Sequence, residues 1–169
     1  MRDIAVRLLQ LLYFMAPAYL SNMAPPFVRR WHGWNRPINA HLLGDHKTVV
    51  GFVVGMSAGV LATGLQAALG SPLAIVDYRN WLLLGLGFGF GAMAGDSLKS
   101  LLKRKAGIAP GSRWIPMDQL DYVVGALVLV GWSAGLTWLD FTAILIGSLL
   151  AGFLVNRVAF WLRIKETPW

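Results

Sequence analysis

Asp96, Lys99, Ser100 and Lys103 recur at spacings of i, i+3, i+4 and i+7. On an α-helix that spacing projects one carboxyl, one hydroxyl and two ammonium groups from a single face. Arg104 and Lys105 extend the cationic run. Basic residues closing a helix complement its dipole and anchor to lipid headgroups, which accounts for Lys103 to Lys105. It does not account for Asp96, which lies deeper, behind a glycine-rich apolar stretch, where an acid marks function by default. Asp118 and Asp121 form a second cluster and share a helix face through their i, i+3 spacing. One reading of the pair is a capping-box variant at a helix N-terminus. The other is a divalent-metal site with Asp96 contributed by a neighbouring helix. Mg²⁺ takes a few carboxylates and completes its octahedron with water and substrate phosphates, and three confined carboxylates repel one another without a cation. The third cluster, Gly44-Asp45-His46-Lys47-Thr48, precedes an apolar run. It reads equally as a phosphate site at a helix N-terminus or as a polar loop capped before a helix. His32, His41 and His46 have irregular spacing and read as loop or interface residues. No Walker lysine motif and no Gly-x-Ser-x-Gly elbow occurs. Together the clusters describe a cationic, Mg²⁺-compatible pocket, suited to a reaction between a phosphate-bearing lipid and a nucleoside triphosphate.

The elements that must position these groups are apolar helices. Of 169 residues 56% are hydrophobic and only 14% charged, against roughly 25% charged in soluble domains, and the mean hydropathy is +0.57. Cysteine is absent, which excludes disulfides, thiolate metal sites and a cysteine nucleophile. Apolar runs at residues 4–20, 48–69, 81–102, 122–138 and 141–160 approach the roughly 20 residues that cross a bilayer. The pattern predicts an all-α integral membrane protein, one domain over residues 1–169, with a bundle of about five transmembrane helices. The first run also fits a cleaved signal peptide, with Ala16-Pro17-Ala18 as a small-x-small site, but is read as a retained helix. With these spans, twelve of the fifteen basic residues fall on one side: Arg29, Arg30, Arg36, Lys47, Lys99, Lys103, Arg104, Lys105, Arg113, Arg157, Arg163 and Lys165. The positive-inside rule makes that side cytoplasmic, leaving the N-terminus outside and the C-terminus inside a cell membrane. Gly51, Gly55, Gly59 and Gly87, Gly91, Gly95 form two small-xxx-small ridges for close helix contact. The run Gly85-Leu-Gly-Phe-Gly-Phe-Gly91 follows no strand and is read as membrane helix, not as a dinucleotide fingerprint. A net charge of +7 raises nucleic acid as a partner, but the cations are split among juxtamembrane loops and form no single patch.

The stretch Gly95-Asp96 through Ser100-Leu-Leu-Lys103-Arg104, a spacer ending in Pro116, and then Asp118-Gln-Leu-Asp121 resembles the CTP-dependent cytidylyltransferases of membrane lipids. The larger CDP-diacylglycerol synthases carry a Ser-x-x-Lys-Arg, spacer, Asp-Arg-x-Asp signature. Here Gln119 replaces the arginine, and the spacer lacks their His-Gly-Gly element. The departures and the small size are similar to the CDP-archaeol synthase branch, as are the segments from Pro17 to Pro25 and from Gly44 to Gly51. The resemblance covers about Tyr13 to Gly125. It implies a five-helix membrane enzyme that transfers CMP from CTP to a lipid phosphate, releases pyrophosphate and forms a CDP-activated lipid for phospholipid synthesis, with Mg²⁺. On this resemblance Asp96, Asp118, Asp121 and Lys103 are the catalytic group, with the three aspartates on Mg²⁺. Asn22, Lys47, Thr48, Lys99, Ser100 and Arg104 hold substrate. The lipid tail is not written in such a phosphate site, so an archaeol-type glycerol phosphate, a phosphatidic acid or another isoprenoid phosphate would each fit. The competing class is a non-enzymatic membrane transporter or scaffold with basic lipid-binding loops, which leaves Asp96 and the Asp118–Asp121 pair without a purpose.

Overall fold

A computed structural model describes residues 2–28, 35–109 and 112–161. Arg29, Arg30, His32, Arg163 and Lys165 lie outside the described residues. Five longer helices follow in chain order: α1 (Arg2–Met23), α2 (Val49–Leu69), α3 (Trp81–Lys105), α4 (Met117–Val130) and α5 (Trp138–Trp161). Four of them are long and apolar enough to cross a membrane, within Asp3–Val28, Val49–Leu69, Tyr78–Lys105 and Trp138–Val158. The outward faces carry large apolar side chains such as Leu61, Leu83, Val128 and Leu154, as expected of helices solvated by lipid.

The fourth apolar run departs from expectation. The sequence places a span over residues 122–138, whereas α4 begins at Met117 and ends at Val130. Its 14 residues cover only about 21 Å. The chain then tightens into a 3-10 turn, Gly131–Ala134, and leaves it through Gly135 in the left-handed region (φ 56°), a conformation that suits glycine. Helix α5 starts at Trp138, three residues before the predicted run. Thr137 and Asp140 cap it reciprocally: the Thr137 backbone N–H donates to Asp140 Oδ2 at 2.9 Å and the Asp140 N–H to Thr137 Oγ1 at 3.3 Å, a capping box with aspartate in the acid position.

Helix α3 is the centre of the bundle, with α2 and α4 packed along it and α1 across both α2 and α3. The glycines explain the closeness. Gly85 and Gly89 face α2: a Cβ on Gly85 would lie 2.8 Å from Val60 Cα, and one on Gly59 would lie 2.8 Å from Gly89 Cα. Gly91 and Gly95 face α4, where a Cβ on Gly91 would lie 2.6 Å from the Gly125 carbonyl oxygen. Steps of two residues rotate by about 200° on a helix. The alternating glycines therefore form two ridges on opposite flanks, one per neighbour, and Gly85-Leu-Gly-Phe-Gly-Phe-Gly91 is a two-sided packing surface. Only two ridges were expected, one on α2 and one on α3; the structure adds the Gly85–Gly89 ridge.

Helix α1 belongs to the core. Phe14, Met15 and Ala18 are fully buried with Phe88, Ala92 and Val123, and the Phe14 and Phe88 rings meet edge-on at 5.0 Å. At one end of the bundle Arg7 grips Asp140 on α5 with two hydrogen bonds, at 2.8 and 2.7 Å. Nearer the other end, the Tyr19 hydroxyl shares a 2.8 Å hydrogen bond with Ser148 Oγ.

Candidate active site

The ends of α1, α2, α3, α4 and α5 that the charge pattern assigns to one side meet at one end of the bundle. Gly95 sets the distance there: a Cβ at this position would overlap the Asp121 carbonyl oxygen. That approach brings the Asp96–Lys103 face of α3 against the Asp118–Asp121 face of α4. The Lys99 ammonium lies 2.8 Å from Asp121 Oδ2, 3.0 Å from Asp118 Oδ1 and 3.3 Å from Asp96 Oδ1. All three aspartates singled out in the sequence therefore converge, and they converge on Lys99. Lys47 pairs with the other oxygen of Asp96. Lys103 donates to both oxygens of Asp118, at 2.8 and 3.0 Å.

Among the described residues no three acidic or histidine side chains are disposed to hold a metal ion among themselves. The mutual repulsion of the carboxylates is met in this structure by ammonium groups. The donor set nevertheless suits Mg²⁺ in kind: hard carboxylate oxygens, each within 3.3 Å of one shared point, Lys99 Nζ. Mg²⁺ takes one or two such donors and keeps its remaining positions for water and phosphate.

Several side chains also hold the site together. Besides gripping Asp118, Lys103 donates to the Ser112 carbonyl at 2.6 Å, so its three donors tie the α3–α4 connection to both helices. Asp118 is not a side-chain cap. The N-cap of α4 is Pro116, without a side-chain hydrogen bond, and Asp118 Oδ2 accepts from the Trp114 backbone N–H at 2.6 Å. Thr48 is the N-cap of α2, accepting from the Gly51 N–H at 3.1 Å. Ser100 Oγ donates to the Asp96 carbonyl at 3.0 Å. The backbone at Lys47 is held by an antiparallel bridge between Pro37 and Thr48, in which Ile38 N–H donates to the Lys47 carbonyl at 2.8 Å and Val49 N–H to the Arg36 carbonyl at 3.0 Å.

A cavity of about 1140 Å³ opens beside the cluster. Of the residues the sequence reading gives to substrate, Asn22, Thr48, Lys99, Ser100 and Arg104 line it, together with Lys103 and Asp118 of the catalytic group. Lys47, Asp96 and Asp121 do not line it; Asp96 and Asp121 reach it through their contacts with Lys99. Arg113 adds to the cationic side, while Leu12, Met23, Ala151 and Val155 make an apolar side between α1 and α5. Among the lining residues that the sequence reading did not assign to the site are Tyr19, Gln119, Tyr122 and Asn156. Gln119 and Asn156 had a signal, being amides in otherwise apolar helices. The tyrosines had none, since aromatics in apolar helices are ordinary core. His46 also lines the cavity, although it reads as a loop residue. Burial, with Lys47 adding to it, holds its imidazole below the usual pKa and favours the neutral ring.

Comparison with known proteins gives a consistent set of relatives. Residues 4–169 match the model of a family described as CarS-like, CDP-archaeol synthase. The CDP-archaeol synthase of Methanopyrus kandleri is 35% identical over 171 residues, covering 94% of this chain and 91% of that protein. That of Saccharolobus islandicus is 34% identical over 175 residues, covering 99% of each. A solved structure, described as an intramembrane enzyme for archaeal membrane lipids biosynthesis, superposes with a TM-score of 0.71 at 29% identity. The match covers 86% of this chain and 91% of that one.

Proposed function

This chain belongs to the CDP-archaeol synthase family of membrane enzymes, and from that premise we propose that it transfers CMP from CTP to an archaeol-type glycerol phosphate lipid. Membership in a family of enzymes disposes of the transporter or scaffold reading. The observation that carries the proposal is the cavity itself. One wall is cationic, with Lys99, Lys103, Arg104 and Arg113, and another is apolar, with Leu12, Met23, Ala151 and Val155. Such a space suits two polyanions, one of which brings a hydrocarbon tail.

In the reaction an ionised oxygen of the lipid phosphate attacks the α-phosphorus of CTP. A new phosphorus–oxygen bond forms, the α–β bridging bond breaks, and pyrophosphate leaves with that electron pair. The nucleophile is already an anion, so the site needs no strong general base. Its work is to align two phosphates and neutralise their charge. Lys99 and Arg104 bind phosphate oxygens, Lys103 joins them by exchanging one of its contacts to Asp118, and Thr48, Ser100 and Asn22 are polar contacts at the cavity wall. Lys47 supports the site through Asp96. Asp96, Asp118 and Asp121 would hold Mg²⁺ arriving with the nucleotide, the carboxylates exchanging part of their contact with Lys99 for the ion. When bound, Mg²⁺ supplies charge neutralisation on the pyrophosphate leaving group. The cavity faces the cytoplasm, where CTP is available, in keeping with the basic residues gathered at that end.

The test is a membrane or detergent assay with labelled CTP, Mg²⁺ and a panel of lipid phosphates: an archaeol-type glycerol phosphate, a phosphatidic acid and a polyprenyl phosphate. The expected outcome is CDP-lipid with equimolar pyrophosphate, strongest for the ether isoprenoid lipid. Absence of pyrophosphate with every lipid would overturn the proposal, and preference for another tail would reassign the substrate.

A further inference from the structure

Gln119 stands apart from the carboxylate cluster. It follows Asp118 by one residue, which turns its side chain about 100° around α4, away from Lys99 and towards α5. Its aliphatic stem packs on Gly152, where an added Cβ would lie 3.3 Å from Gln119 Cγ. The residue lines the cavity yet is only 8% exposed. Its Oε1 is buried with no hydrogen-bond partner among the described residues. A buried orphan acceptor is costly, and such groups usually have a partner that binds. The chemistry of that partner is constrained. Oε1 accepts, so the missing group must donate. An ionised lipid phosphate and ether-linked glycerol oxygens only accept. The nucleotide does carry donors: the exocyclic N4 amine of cytosine and the ribose hydroxyls. The surroundings favour the base. The cationic side chains that suit phosphates lie on α3 and the α3–α4 connection, whereas Gln119 shares a face of α4 with Tyr122 at i+3, whose ring meets that of Tyr19 at 6.1 Å, and packs on Gly152, one turn before Asn156.

We infer that Gln119 is the specificity-determining residue for the nucleobase, its Oε1 accepting a hydrogen bond from the N4 amine of cytosine. The inference rests on the CTP-dependent reading above. With uracil the same oxygen would face the O4 carbonyl, acceptor against acceptor. A site built to hydrogen-bond one group rejects the analogue lacking it, because its own buried group is then left unpaired.

The experiment uses the full-length protein in detergent with Mg²⁺ and the preferred lipid phosphate, and compares kcat/KM for CTP and UTP. Equilibrium competition of the two nucleotides without lipid is measured in parallel. The wild type is expected to favour CTP. In Gln119→Leu the CTP:UTP ratio should fall by roughly ten- to hundred-fold, with the loss in CTP binding and the lipid KM unmoved. Gln119→Glu keeps an acceptor at this position and should keep the preference for CTP. If the leucine variant does not fold, Gln119→Met makes the same comparison. An unchanged ratio in the apolar variant overturns the inference. So does an equal loss for CTP and UTP, which would place Gln119 on the ribose, or a change confined to the lipid KM. Loss of the ratio in Gln119→Glu as complete as in Gln119→Leu would also overturn it. A wild type that neither binds nor turns over either nucleotide fails earlier, at the proposed reaction itself.

Discussion

Replacing Lys99 with methionine removes one ammonium from among three carboxylates while keeping most of the side-chain volume. The consequence follows from who else serves each acid. Asp96 retains Lys47 and Asp118 retains Lys103. Asp121 loses the ammonium 2.8 Å away, and its side chain is only 5% exposed. Breaking a buried ion pair from one side costs about 3–5 kcal/mol. Because two of the three acids keep a partner, the low end applies, about 3 kcal/mol. For a domain of this size that lowers the melting temperature by roughly 6–12 °C. Thermal unfolding of the detergent-solubilised variant, followed by tryptophan fluorescence, measures it. The double variant Lys99→Met with Asp121→Asn should regain most of the loss, since no buried charge is then left alone. Mg²⁺ without nucleotide should stabilise Lys99→Met more than the wild type, because the ion and the ammonium seek the same oxygens. A Lys99→Met protein melting within about 2 °C of wild type, with no rescue in the double variant, would refute the view that Lys99 neutralises Asp121.

Asp121→Asn should lower kcat for CDP-lipid formation by at least about 100-fold while the protein still inserts and melts as a folded bundle. Activity near the wild-type level would remove Asp121 from catalysis. Asp140→Ala should cost about 2 kcal/mol of stability, since it strips Arg7 of its carboxylate and α5 of its capping box, and leave KM for CTP unchanged because the pair sits at the far end from the cavity. A shifted KM would contradict that separation. His46 is held neutral by burial, so the unfolded chain takes up its proton first as pH falls. Stability should then decline as pH drops through about 6.5 and below, and His46→Gln should flatten the melting-temperature profile between pH 7.5 and 5.5. An identical slope in both proteins would exclude His46 as the cause.

The site was readable in the sequence where short-range spacing alone determines geometry. An i, i+3, i+4, i+7 series on α3 and an i, i+3 pair on α4 must each share a helix face, and an acid behind an apolar glycine-rich run has few reasons to be there. The membrane class followed from composition, and the helices from run length. What spacing cannot express is the partner across a seam. Lys99 reads as one of several phosphate-binding cations, yet it lies at the meeting point of three acids because glycines on α3 let α4 come close enough to bring Asp118 and Asp121 to it. Lys103 and Thr48 read as ligand groups, and both turn out to fasten local structure as well. The alternating glycines look like one ridge on paper and serve two neighbours in space. Gln119 looks like a mere departure from a signature until Gly152 of α5 is seen beneath it. Helix periodicity is local and is carried by the order of residues. Which faces meet, and which polar atoms are left without a partner between them, depends on how closely the backbones approach, and only packing in three dimensions decides that.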